Sequence, residues 1–273
     1  MVACANGLPL RRMALQISAK LHAILRTWRY FGRLAFLFDG MLGYDISIPR
    51  GVHCVIAGKT SSARETETVI AVQFAGGTDA EGFPAEQAWE NAPATHFAHD
   101  WQGKNEDPER KTEARVLWSR ETLYVNFLAR YRSLTVFADA EPNGRRDQLW
   151  ERDVAEVFLQ PVGSNGLHYK EIEVSPNGFW IDLDIAPGEK RDLNSALKRR
   201  VRIDEKSKSW KAELALPMKS LTARFDPSEP WRINFYRVEG PSEPRFYSAW
   251  RPTGTPVPNF HVPESFGTLV FGT

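Results

Sequence analysis

The sequence predicts an all-β protein, an antiparallel β-sandwich of jelly-roll-like form preceded by an N-terminal extension. Three observations carry that prediction. From Thr68 onward, short runs rich in Val, Ile, Phe, Tyr and Trp alternate apolar with polar residues at the period of a strand. Gly, Pro, Asn and Asp separate the runs, and "SPNG" (175–178) is a tight-turn signal between two of them. Helical periodicity is nearly absent beyond one turn at "PMKSL" (217–221), so nothing supports the βα alternation of a parallel sheet.

The first element in the chain is not a strand. Residues 1–67 read as an extension, weakly structured or partly helical, and residues 68–273 as the domain. "RRMALQISAKLHAILRTWRYFGRLAFLF" (11–38) fits an amphipathic helix followed by an apolar run. That run is shorter than the roughly 20 residues a bilayer span needs. Its arginines and the lack of a small-residue cleavage site make it a poor secretory signal. "GKTSSARETET" (58–68) is polar and linker-like. Its "GKTSS" lacks the upstream glycine spacing of a phosphate-binding loop.

Strands then follow at 114–119, 122–130, 154–160, 168–175, 178–185, 199–204, 209–216, 231–239, 245–250 and 267–271. The "SPNG" turn makes 168–175 and 178–185 a hairpin. Lys198, Arg199, Arg200 and Arg202 form a basic run at strand spacing, read as a solvated sheet edge that discourages pairing.

Composition excludes several functions. The chain has 35 basic and 34 acidic side chains, a net charge of +1, so no overall field draws in nucleic acid or an anionic membrane. Two cysteines, Cys4 and Cys54, are too few for a disulfide framework or a zinc site. Nine tryptophans and 18 prolines suit a β-rich protein with long loops, and indoles on such loops suit ligand binding. No G-x-S-x-G, H-E-x-x-H, glycine-rich dinucleotide loop or paired C-x-x-C is present. His96 and His99 fall in a polar, irregular segment and read as surface residues.

The carboxylates are the better candidates for chemistry. In "LWERDVAEVFLQP" (149–161), a strand puts Val154, Glu156 and Phe158 on one face and Ala155, Val157 and Leu159 on the other. The second face is a plain core face, so Glu156 stands between two apolar residues with Trp150 at its edge. Glu171 and Glu173 likewise share a face, opposite Ile172 and Val174. Such carboxylates serve a glycosidase pair, calcium ligation by hard oxygens, or a solvated sheet face. The last is the reading for Glu171, while Glu156 stays open between it and a site. Sugar binding explains more of the pattern. A pyranose offers an apolar face for an aromatic ring and a polar rim for a carboxylate, and Trp150 near Glu156 supplies both. The competing reading of Trp150 is a core cap.

The ordered set "AWENA" (88–92), "TEARVLWSRETLYVNF" (112–127), "LWERDVAEVFLQP", "YKEIEVSPNGFWIDLDI" (169–185), "WKAELALP" (210–217), "WRINFYRVE" (231–239) and "NFHVPESFGTLVF" (259–271) resembles the family 9 carbohydrate-binding modules. The resemblance covers about residues 83 to 271. It implies a β-sandwich of the DOMON-like superfamily, non-catalytic binding of a mono- or oligosaccharide clamped between two aromatics, and association with polysaccharide breakdown. It implies no required cofactor, admits a structural calcium ion, and favours a location outside the cytoplasm. Within it, Trp150 matches the clamp tryptophan and Glu156 the hydroxyl-binding glutamate. Phe260 falls where the second clamp aromatic stands, and Tyr236 where a polar amide binds sugar. Glu173 departs from the pattern, because that strand position is basic in the xylanase-attached modules. The alternative function is a glycoside hydrolase using Glu156 with Glu173. A haem-binding DOMON domain needs axial His or Met ligands, and only Met218 lies among the strand motifs.

Overall fold

Thirteen strands join in one sheet that curls into a sandwich, seen in a computed structural model that describes residues 67–164 and 166–273. The expectations for the helix within 11–38, for the linker-like stretch up to residue 66 and for both cysteines lie outside those residues. In chain order the strands are β1 Thr68–Gln73, β2 Thr95–Phe97, β3 Thr112–Trp118, β4 Thr122–Arg130, β5 Val154–Gln160, β6 Tyr169–Val174 and β7 Trp180–Ala186. They continue with β8 Glu189–Asp192, β9 Lys198–Asp204, β10 Ser209–Pro217, β11 Trp231–Glu239, β12 Phe246–Ala249 and β13 Gly267–Gly272. The order across the sheet is β8-β7-β6-β5-β11-β13-β1-β3-β4-β10-β9, with β12 on β11 and β2 on β3. The predicted hairpin is β6–β7, and Gly178 supplies its turn with a φ of 85° that side chains disfavour.

One strand corrects the all-antiparallel expectation. β1 runs parallel to both of its neighbours, β13 and β3, and so joins the two halves of the sandwich. Its run "TVIAVQ" follows directly on polar sequence, which hides it from a pattern search. β2 is too short to show a period, and β8 ("EKRD") has no apolar residue and is held to β7 by backbone pairing alone. The basic run does form an edge strand, β9. Arg200 departs from the solvated reading, since its guanidinium lies 2.8 Å from the buried Glu213 carboxylate and 2.5 Å from Asp79.

The sandwich buries its inner faces against each other. Val157 and Leu159 of β5, Ile172 and Val174 of β6, and Ile233 and Phe235 of β11 meet Val125 and Phe127 of β4 and Leu214 of β10. Phe127 and Phe235 touch edge to face, 5.7 Å between centroids, across the two halves. Removal of each such side chain from water stabilises the fold by about 1.5–3 kcal/mol. The outer face of β5, β6 and β11 is covered as well. Val154, Phe158, Tyr169 and Tyr236 pack there beneath Phe260 and Phe266 from the 250–266 segment. Arg232 fastens that segment by donating to the carbonyls of Glu264 (3.1 Å) and Phe266 (2.9 Å). Every residue of β5 is therefore buried.

β1 opens at Thr68, and Glu67 immediately before it already bonds to the sheet. Its carbonyl accepts from the Thr268 N–H at 2.8 Å, and its carboxylate pairs with Arg251 at 2.9 Å. A chain beginning at Glu67 is expected to melt in one cooperative transition close to that of the full chain. A chain beginning at Phe74 lacks β1, leaves β13 and β3 unbridged, and is expected to show no cooperative melt by circular dichroism. Equal melting of the two truncated chains would contradict this account of the joint.

Candidate functional site

The outer face of the β11-β5-β6-β7 layer carries side chains in rows set by strand register. One row runs Tyr236, Glu156, Glu173, Ile181, and the next Asn234, Phe158, Glu171, Leu183. Two carboxylates thus stand directly opposite each other on neighbouring strands, an arrangement that costs stability when both are charged. Above them opens a cleft of about 320 Å³, the size of a small-ligand pocket. Glu156, Glu171 and Phe158 lie at its floor with Glu173.

Trp150 forms one wall. It sits in a 3-10 turn, Leu149–Glu151, that follows Gln148 in the left-handed region (φ 58°). The turn is pinned by Arg245, whose guanidinium donates to the Trp150 carbonyl (2.8 Å), to the Tyr247 hydroxyl (2.6 Å) and to the Glu243 carboxylate (3.0 Å). The indole is half-buried, and the Lys190 ammonium lies 3.6 Å from its ring centroid. Pro258, Asn259, Phe260 and His261 line the cleft as well. His261 Nδ1 shares a 2.6 Å hydrogen bond with the Tyr169 hydroxyl and lies 3.8 Å from Glu171.

The floor is electrostatically unusual. Glu156 Oε1, Glu171 Oε2 and both Glu173 oxygens are buried and receive no hydrogen bond from the described residues. Burial holds the Glu156 and Glu173 carboxyls well above their usual range, and the neighbouring carboxylates push in the same direction. Lys190 opposes the shift on both, and Arg245 opposes it on Glu156. Burial likewise raises the Tyr169 hydroxyl. Because a raised carboxyl binds its proton more tightly folded than unfolded, its stabilisation is complete below the ordinary value of 4.5 and is lost as pH climbs through the raised one. Glu173→Gln keeps that position neutral at every pH. It is expected to raise the melting temperature at pH 7 by about 2 °C or more. The difference from wild type should vanish toward pH 4. Thermal melts of both proteins from pH 4 to 8 test this, and a constant difference across that range would contradict it.

Of the residues singled out in the sequence, the structure brings Trp150, Glu156, Glu173 and Phe260 to one cleft. Tyr236 is a correction. It is fully buried beneath Phe260, ring stacked on ring at 4.3 Å, and its hydroxyl accepts from the Asn234 amide at 2.8 Å. Phe260 therefore spends one ring face on Tyr236. Glu171 is a second correction, since it is 3% exposed and lines the cleft instead of facing solvent. Its alternation in phase with Glu173 was the signal available. Arg245, Tyr247 and His261 lie near motifs that were noticed, whereas Lys190 gave no signal at all. No group of three or more His, Cys, Asp or Glu among the described residues is placed to hold a metal ion. No helix among the described residues is long and apolar enough to cross a membrane.

The chain matches the carbohydrate family 9 binding domain-like family over residues 81–270. An extracellular protein of Arthroderma benhamiae is 20% identical over 185 residues, which are 61% of this chain and 81% of that one. A candidate carbohydrate-binding protein from Bacteroides uniformis has a similar fold, with a TM-score of 0.60 and 17% identity over 76% of this chain and 100% of that one. A family 9 carbohydrate-binding module from Caldicellulosiruptor kristjanssonii, solved with cellotriose and with glucose, gives a TM-score of 0.53 at 14% identity in both cases. Those alignments cover 76% of this chain and 94% and 96% of the module.

Proposed function

Because the chain belongs to the carbohydrate family 9 binding domain-like family, whose modules are non-catalytic, we propose that it binds a sugar in the cleft over β5 and β6 without transforming it. The ring packs on the Trp150 indole, with Phe260 also lining the cleft, and its hydroxyls donate to Glu156 and Glu173. The single observation that carries this reading is a set of buried carboxylate oxygens, unsupplied with donors, lying beneath a half-exposed indole. Hydroxyl groups are the donors such oxygens lack, and an aromatic face takes the C–H side of the ring. The glucose and cellotriose bound by the Caldicellulosiruptor kristjanssonii module support gluco-configured sugars as the first probes. We further propose that the protein works outside the cytoplasm in polysaccharide breakdown, a reading supported by its likeness to an extracellular protein.

The hydrolase alternative is set aside on the family. Its geometry is also unsuited, since Glu156 and Glu173 rise side by side from one floor instead of bracketing a glycosidic bond. Isothermal titration with glucose and cellobiose tests the binding. Glu156→Gln is expected to weaken it by about 1.5–3 kcal/mol, the worth of a hydrogen bond to a carboxylate that the bound hydroxyls help to ionise. A parallel assay for reducing ends distinguishes binding from turnover. Steady sugar release by wild type, abolished in Glu156→Gln, would overturn the module reading.

A further inference from the structure

We propose that the cleft selects an aminated sugar, whose ammonium group sits among Glu156, Glu171 and Glu173 while its ring lies on Trp150. The inference rests on the sugar-binding reading above and deepens it.

How the chain treats its other buried carboxylates makes the cleft distinctive. Asp153 accepts the backbone N–H groups of Thr135 and Gly240. Asp182 accepts the N–H of Ser195, and Glu213 takes the Trp89 indole N–H and the Arg200 guanidinium. Glu239 takes two backbone N–H groups and Arg237. Each structural carboxylate is supplied from within. Glu173, which is 0% exposed, has neither oxygen supplied, and Glu156 and Glu171 each have one oxygen unsupplied. A buried acceptor without a donor is costly, and a charged one more so.

Charge balance gives the second argument. Three carboxylates line the cleft against two cations, Lys190 and Arg245. The Arg245 donors are engaged at the rim by Glu243, Tyr247 and the Trp150 carbonyl. A neutral sugar offers hydroxyl donors but no charge against which carboxyls that burial holds protonated can ionise. An ammonium supplies three donors from one atom and cancels a charge.

The third argument is an ammonium already there. Lys190 lies on the Trp150 ring and lowers the proton affinity of Glu156 and Glu173. It comes from β8, whose four residues are all exposed, so it can leave without disturbing packing. It occupies the indole face on which the sugar ring would lie and competes for it. The other ionisable groups facing the floor are Tyr169 and Tyr236, whose hydroxyls burial keeps protonated, and His261 at the wall.

Titration calorimetry on the full chain at pH 6.5 tests the proposal with three probes: the β-1,4-linked glucosamine disaccharide, its N-acetylated form and cellobiose. The free-amine disaccharide is expected to bind about tenfold tighter than cellobiose or more, the factor that a charge-assisted hydrogen bond contributes. The N-acetylated form, which has no charge, should bind no better than cellobiose. Glu173→Gln should erase the preference, because the free-amine disaccharide loses more affinity than cellobiose does. Lys190→Ala alters only an exposed side chain, so it folds whatever the floor tolerates. It should tighten the free-amine disaccharide by about threefold or more, because its competitor is gone. Equal binding of cellobiose and the free-amine disaccharide would overturn the inference and leave the sugar reading standing. Binding of no disaccharide would overturn both. Binding of cyclohexylamine as tightly as the free-amine disaccharide would show an amine site without sugar recognition, and would overturn the inference.

Discussion

Glu239→Ala is expected to destabilise the fold by about 3–5 kcal/mol, the loss seen when one partner of a buried ion pair is removed. Arg237 is completely buried at the end of β11 and donates to Glu239 at 2.9 Å and to the Arg130 carbonyl at 3.2 Å. Its guanidinium also lies over the Trp210 ring, 5.3 Å from the centroid. Glu239 in turn accepts the backbone N–H groups of Arg132 (2.9 Å) and Ser133 (3.4 Å), where the chain leaves β4. Alanine would strand a buried guanidinium and two N–H groups together. Glu239→Gln keeps an acceptor for the N–H groups and loses only the charge, so its cost should be smaller. Urea unfolding of both variants gives the comparison. A loss below about 1 kcal/mol for alanine would mean that water or movement compensates the pair. The network reaches the site, since Asp153 ties the Thr135 segment to Gly240 immediately after the turn that carries Trp150. Loosening it should therefore weaken sugar binding as well.

Trp150→Ala is expected to remove sugar binding while leaving the fold nearly as stable. Aromatic anchors at the centre of a binding surface commonly contribute about 2 kcal/mol or more, and this one supplies the only indole among the described residues lining the cleft. Trp150 is partly exposed, so truncation should cost less than the roughly 3–5 kcal/mol of a fully buried tryptophan. Trp210, 0% exposed between the sheets, is the control for a true core indole. Phe260→Ala should weaken binding more mildly and cost more stability, because its ring also covers Tyr236. A steep drop in melting temperature for Trp150→Ala, matching that of Trp210→Ala, would make Trp150 a core residue and end the site assignment.

The two strands that matter most were readable from residues alone. β5 and β11 have the bounds expected from their apolar runs and the turn residues around them. The alternation also placed Glu156 opposite Val157 and Leu159, with Glu171 and Glu173 together. Three strands escaped because pairing in a sheet is made by backbone groups, which every residue carries. β8 shows this most clearly, with four charged side chains and a full set of partners on β7.

What the sequence by itself determined was the β architecture, the order of its strands along the chain, and which side chains share a face. Period two follows from strand geometry and needs no partner to be read. What only the tertiary structure decided was what lies on the far side of each face. An alternating pattern separates core from solvent when one face is wet, but β5 is covered on both faces and all of it is buried. The 250–266 segment made Tyr236 a packed floor under Phe260, turned Glu171 from a surface residue into part of the cleft, and added Pro258 through His261 to its lining. β8 brought Lys190 onto the indole from 40 positions down the chain. Contacts of that kind are set by folding over distances at which no local residue pattern is imposed, so the carboxylates were legible while their surroundings were not.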